Sequence, residues 1–178
     1  MKRISLELGG HAPFIVCEDA DPIHAAKGAA AVKFLNTGQA CISPNRIFVH
    51  RSALEPFLSE LTARVGRMKA GNGLEEGIAI GPLVNRKAVD KVANQVDDAI
   101  SAGASLLAGG KRLKDEGLAA GTFFAPTVLS AVTDQMLIYR EETFGPVAAV
   151  VPYENSDELL AMANDTNYGL AAYVYTRD

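Results

Sequence analysis

The side chain best placed in this sequence for covalent chemistry is a cysteine just past a glycine turn, in Asn36-Thr37-Gly38-Gln39-Ala40-Cys41. A thiol attacks as its thiolate, and a helix N-terminus or a nearby cation supplies the pKa shift that makes one. Attack on a carbonyl also needs donors for the oxyanion that forms, and the Cys41 backbone N–H, lying in a turn, is a candidate donor. The competing reading is a buried structural cysteine, and on pattern alone the two weigh equally. Cys17 ends an apolar run and reads as structural.

Carboxylates come next. Glu7 interrupts the apolar Leu6 and Leu8 and precedes Gly9-Gly10, two residues that let a ligand approach the backbone. A carboxylate so placed can act as a general base, although a solvated glutamate at a strand end is the better reading of the isolated pattern. Glu141-Glu142 reads as a charged turn. Gly9-Gly10 lacks both the G-x-G-x-x-G and the Walker spacing, so it is no phosphate fingerprint. His11, His24 and His50 are scattered without zinc-ligand spacing, and no metal site is expected. A cysteine–histidine hydrolase pairing Cys41 with His50 is disfavoured, since nothing in the sequence orients His50.

The elements that must carry these residues alternate between strand and helix. Strands are expected at 4–8, 13–17, 46–50, 104–108, 147–152 and 170–175, with an extended segment at 123–129 that Pro126 makes an edge or irregular strand. Asp21-Pro22 is a helix start, leading an alanine-rich helix from Ile23 to about Asn36. Ser52 is expected to cap a helix to about Val65, whose Leu54, Phe57, Leu58, Leu61 and Val65 keep helical spacing. Further helices are expected from Asn85 to about Ala102 and from Asp157 to about Asp165. Residues 71–83 read as surface loop, and Met136–Tyr139 as a short strand or turn. Such alternation argues an α/β fold with a largely parallel sheet flanked by helices.

Composition narrows the function classes. The 178 residues are 48% hydrophobic and 21% charged, ordinary for one globular domain with a core. A net charge of −4 without a basic cluster argues against nucleic-acid binding. No apolar run approaches a membrane span, and no signal peptide is evident behind Met1-Lys2-Arg3-Ile4. Two cysteines do not make a disulfide framework. A cytoplasmic protein with reduced thiols is expected.

Three stretches together resemble the NAD(P)-dependent aldehyde dehydrogenases: Leu6-Glu7-Leu8-Gly9-Gly10, Asn36-Thr37-Gly38-Gln39-Ala40-Cys41, and Glu141-Glu142-Thr143-Phe144-Gly145-Pro146-Val147. Gly81-Pro82-Leu83 and Asn167-Tyr168-Gly169-Leu170-Ala171-Ala172 extend the resemblance over the whole chain. In texture it is closest to the succinate-semialdehyde dehydrogenases. The resemblance implies that Cys41 is the nucleophile, Glu7 the general base that activates water, Glu142 the partner of the nicotinamide ribose, and Phe144 and Leu8 its apolar neighbours. It implies NAD or NADP as cofactor, a small aldehyde as substrate, and a homo-oligomer in the longer enzyme. It also implies that residues 1–178 are a partial catalytic domain, without the nucleotide-binding domain, the oxyanion-hole asparagine or the C-terminal segment. The isolated chain is therefore expected to be inactive as a dehydrogenase, and a non-catalytic scaffold module that keeps the fold is the alternative. Leu35 stands where the succinate-semialdehyde enzymes carry an arginine for the distal carboxylate, which an apolar side chain cannot grip. Ser43 replaces a second, redox-sensitive cysteine, and His11 reads as tolerated variation.

Overall fold

The computed structural model describes residues 2–115 and 117–178. Five strands of the main sheet run parallel: β1 (Ala12–Val16), β2 (Pro44–His50), β6 (Thr127–Ser130), β7 (Val147–Tyr153) and β8 (Tyr173–Tyr175). β5 (Ser105–Ala108) pairs antiparallel with β6, giving the order β5-β6-β7-β2-β1-β8. β3 (Lys69–Ala70), just ahead of the segment expected as surface loop, and β4 (Ile78–Ile80), within it, form a separate two-stranded sheet. The helices are α1 (Pro22–Lys33), α2 (Leu54–Val65), α3 (Arg86–Ser101), α4 (Leu137–Arg140) and α5 (Ser156–Asn164).

Side chains of a strand alternate between the faces of its sheet, and both faces here are covered. Ile47 and Val49 of β2, with Ala148 and Val150 of β7, join one core cluster with Phe57 and Leu61 of α2 and the alanines of α1. Phe48, Val147, Ala149 and Val151 point the other way and pack with Val92 and Val96 of α3 and Leu159 of α5. Ala25, Ala26 and Ala29 are fully buried, small enough for α1 to lie close to α2 and the sheet. Two helix starts follow sequence logic. The Asp21 carboxylate accepts from Ile23 N and His24 N at 2.9 and 3.1 Å, and Asn85 accepts from Ala88 N at 2.9 Å.

Several expectations need correction. Residues 4–8 form no strand: the segment pairs with no strand of either sheet, and Ile4, Leu6 and Leu8 are 79, 70 and 67% exposed. Ser52 caps nothing; it lies in a 3-10 turn (Arg51–Ala53), and its own N–H donates to the His50 ring. Met136–Tyr139 opens the one-turn helix α4 instead of a strand. Pro126 marks no edge, because β6 begins after it and is flanked by β5 and β7. The last strand is only Tyr173–Tyr175. Among the described residues no helix is long and apolar enough to cross a membrane, and no cluster of candidate metal ligands occurs.

Candidate active site

Each of the three motif stretches ends where a strand of the parallel sheet begins. Gly9-Gly10 precedes β1, Cys41 precedes β2, and Glu142–Pro146 leads into β7. Because β7, β2 and β1 are consecutive in the sheet, the three stretches lie side by side along one edge. Asn167-Tyr168-Gly169, ahead of β8, adds a fourth beyond β1. Open parallel sheets commonly bind ligands outside the carboxyl ends of their strands; here the chemistry-bearing residues gather at the amino ends.

Backbone contacts interlock them. Gly10 N donates to Glu142 Oε1 at 2.8 Å. A Cβ built on Gly10 would stand 1.8 Å from the Cys41 carbonyl oxygen, so only glycine admits this approach. On the other side, Gly38, at φ +74°, lies against Gly145, whose carbonyl oxygen would be 2.1 Å from a Cβ there. The thiol turn is thus clasped between the glycine pair ahead of β1 and the turn ahead of β7.

The backbone leading to the thiol is strained. Asn36 and Thr37 sit at φ 48° and 61°, followed by Gly38 at 74°. Left-handed backbone suits asparagine and glycine but is costly for a β-branched residue. The loop at 81–84 holds it: Thr37 Oγ1 accepts from Gly81 N at 2.9 Å, Gln39 Oε1 accepts from Val84 N at 2.8 Å, and Gln39 Nε2 donates to Pro82 O at 3.3 Å. Asn36 Nδ2 bonds Gln39 O at 3.0 Å within the turn.

Cys41 is half-buried and free of disulfide. Its backbone N–H makes no hydrogen bond among the described residues, while Ser43 N closes the turn on Ala40 O at 2.9 Å. Tyr173 of β8 donates to Ile42 O at 3.0 Å, and burial together with the neighbouring Cys41 pushes its phenol pKa up. Glu142 is half-buried with Oε1 engaged by Gly10, and Lys91 Nζ donates to its backbone carbonyl. Phe144 is 37% exposed, at φ 51°. Glu7 and Leu8 lie on the exposed irregular segment, and the Glu7 side chain has no hydrogen bond among the described residues. Cys41 and Glu142 are brought together at Gly10; among the described residues no hydrogen bond joins the Glu7 side chain to either. Cys17 is half-buried, its thiol pushed up chiefly by burial and then by Asp19.

Supporting polar residues escaped the sequence reading. Arg46 is fully buried and donates to Met162 O, Ala163 O and His11 O at 2.9, 3.0 and 3.2 Å, capping the C-terminal end of α5. His11 is more than tolerated variation: it is buried, its Nε2 is 2.6 Å from Tyr139 O, and burial lowers its pKa to about 4. Lys33 is wholly buried, with its Nζ 2.9 Å from Asn45 Oδ1. The usable signal was a long cation within an apolar run for Lys33 and at the head of one for Arg46.

Known proteins resemble the chain in sequence and in shape. The chain is 50% identical over 179 residues to an aspartate-semialdehyde dehydrogenase (non-phosphorylating) of Halomonas elongata, covering 100% of this chain and 35% of that protein. It is 49% identical to a mitochondrial succinate-semialdehyde dehydrogenase of rice, covering 99% of this chain and 33% of that one. A crystal structure of an aldehyde dehydrogenase from Brucella melitensis superposes with a TM-score of 0.92 at 49% identity, over 99% of this chain and 35% of the other. The chain therefore spans about a third of the length of the relatives it matches. The family model described as "Aldehyde dehydrogenase family" matches residues 1–178, and the chain belongs to that family.

Proposed function

We propose that Cys41 is the nucleophile of an NAD(P)-dependent oxidation of an aldehyde to a carboxylic acid, carried out in a longer enzyme of which this chain is the partial catalytic domain. The observation that carries the reading is the clasp: Gly10 lies in contact with the Cys41 carbonyl and bonds the Glu142 carboxylate at 2.8 Å. A scaffold module, the alternative, needs neither a strained turn ending in a half-buried thiol nor a glycine kept against it.

In this reading the Cys41 thiolate attacks the aldehyde carbon, giving a thiohemiacetal whose oxyanion meets the unengaged Cys41 N–H. Loss of hydride leaves a thioester, and water, deprotonated by Glu7, adds to it and releases the acid and the thiol. The oxidised nicotinamide, when bound, supplies the hydride acceptor. The residues present fit its ribose. Glu142 Oε2, with no donor among the described residues, is a ready acceptor beside Gly9, and Phe144 and Leu8 offer exposed apolar surface. The same reading makes the longer enzyme a cytoplasmic homo-oligomer. The cofactor is NAD or NADP: one relative is a succinate-semialdehyde dehydrogenase (NADP+) of Schizosaccharomyces pombe, and an aldehyde dehydrogenase of Bacillus cereus has been solved as an NAD+ complex.

The substrate is an aldehyde whose far end is not held by an ion pair from position 35. Leu35, 54% exposed six residues before the thiol, presents carbon where a carboxylate would need a cation. Ester hydrolysis tests the thiol chemistry without the cofactor. Purified chain is expected to cleave p-nitrophenyl acetate through Cys41, with the rate lost in Cys41→Ala; equal rates in the two proteins would discard the reading.

A further inference from the structure

Lys33 is the last residue of α1, and nothing in the chemistry proposed above uses it. It is 0% exposed and among the largest fully buried side chains. Its Nζ donates to Asn45 Oδ1 at 2.9 Å and to Ser43 Oγ at 3.2 Å, and it forms no ion pair among the described residues. A buried ammonium with only neutral acceptors is unfavourable. Burial accordingly pushes its pKa down to about 7, against the opposing pull of the Glu142 carboxylate. Packing alone would be served better by methionine or leucine of similar volume.

The bonds run on from it. Ser43 is two residues past the thiol, and its hydroxyl also reaches back to Lys33 O at 3.4 Å. Asn45, the second residue of β2, uses its other amide atom to donate to Gly10 O at 3.3 Å. Gly10 in turn donates its N–H to Glu142 Oε1 and lies against the Cys41 carbonyl. One side chain thus connects the thiol turn, the strand that follows it, the glycine pair and the carboxylate.

We propose that Lys33 is a positioning residue, which fixes the Ser43–Asn45 segment beneath Cys41 and, through Asn45 and Gly10, sets the Glu142 carboxylate in register with the thiol. This rests on the functional reading of Cys41 and Glu142 above. The lysine touches neither substrate nor cofactor; it holds the two halves of the site together, and it sits where the carbonyl end of α1 favours a cation.

The test is made on the whole 178-residue chain, with amide exchange at Gly10 and at Val49, the latter in the far half of β2, followed by NMR in wild type, Lys33→Met and Asn45→Ala. Loss of the link is expected to speed exchange at Gly10 about tenfold relative to Val49, as befits one lost hydrogen bond. The rate of Cys41 labelling by iodoacetamide is expected to change about threefold or more. A residue that merely packs would speed both amides alike, and that outcome, or an unchanged Gly10 in Asn45→Ala, would overturn the proposal. Should Lys33→Met not fold, Lys33→Gln and Asn45→Ala carry the same comparison. Failure of the functional reading appears separately, as ester cleavage in wild type that does not depend on Cys41.

Discussion

The carbonyl oxygen of Cys41 occupies the space that a side chain at residue 10 would need, 1.8 Å from where a Cβ on Gly10 would stand. The obstruction is backbone on both sides, so no rotamer change relieves it. Gly10→Ala is expected to push the thiol turn away from β1, destabilising the chain by about 1–3 kcal/mol as overpacking does. Thermal unfolding measures that cost. Labelling of Cys41 in the same protein should change as well, and an unaltered rate would mean the turn does not depend on Gly10.

The two thiols should behave differently. Cys17 is raised above the usual thiol range by burial and by Asp19, so it holds less thiolate at neutral pH. Peptide-resolved iodoacetamide labelling at pH 7.5 is expected to modify Cys41 well before Cys17, and Cys17→Ser should leave the Cys41 rate unchanged. Faster labelling of Cys17 would reverse the assignment of roles.

Dehydrogenase turnover by the isolated chain is expected to be negligible. Removing a single oxyanion donor costs about 2.7–4 kcal/mol in catalysis, and the resemblance assigns both such a donor and the dinucleotide fold to sequence outside these residues. Absorbance of NAD(P)H with a small aldehyde should stay at background. Clear production that disappears in Cys41→Ala would show that 178 residues suffice.

His11 makes the fold acid-sensitive. Burial lowers its pKa from 6.5 to about 4, so between those values the unfolded chain binds a proton that the folded chain refuses. Stability therefore falls as pH drops through this window, by roughly 3 kcal/mol at the limit. The depressed carboxyls of Asp19 and Asp21, which accept backbone N–H bonds, push in the same direction at lower pH. Melting temperatures of wild type and His11→Asn, compared from pH 7 to 4.5, should converge in slope only if some other group dominates.

Arg46 is expected to matter for stability more than for chemistry. Arg46→Ala leaves three carbonyls without their donor, at the C-terminal end of α5 and at His11. The loss should be about 3 kcal/mol, or about 6–12 °C in Tm. A fall of less than a degree or two would mean that water replaces the guanidinium.

The parallel sheet was legible because strand and helix periods alternate cleanly, and helix starts at Asp21-Pro22 and Asn85 carry their own local signals. Ile4–Leu8 misled because alternation states only that a segment suits a sheet, not that a neighbouring strand exists for it. Ser52 misled because its hydroxyl pairs with the His50 ring, 2.7 Å from Nδ1, a contact that spacing does not encode. Within the site, Cys41 and Glu142 stood out through the motifs they belong to. Lys33, Asn45 and Tyr173 did not, since their contribution depends on which strands lie side by side.

The bond between Gly10 and Glu142 joins residues 132 apart in sequence, and that separation has a kinetic meaning. Helices such as α1 and α3 can form locally and early, whereas contacts between distant segments close last and slowly. During synthesis the thiol emerges about a hundred residues before the β7 turn that clasps it. Until then Cys41 is an ordinary thiol on a nascent chain, open to oxidation, and its protection is a late event in folding.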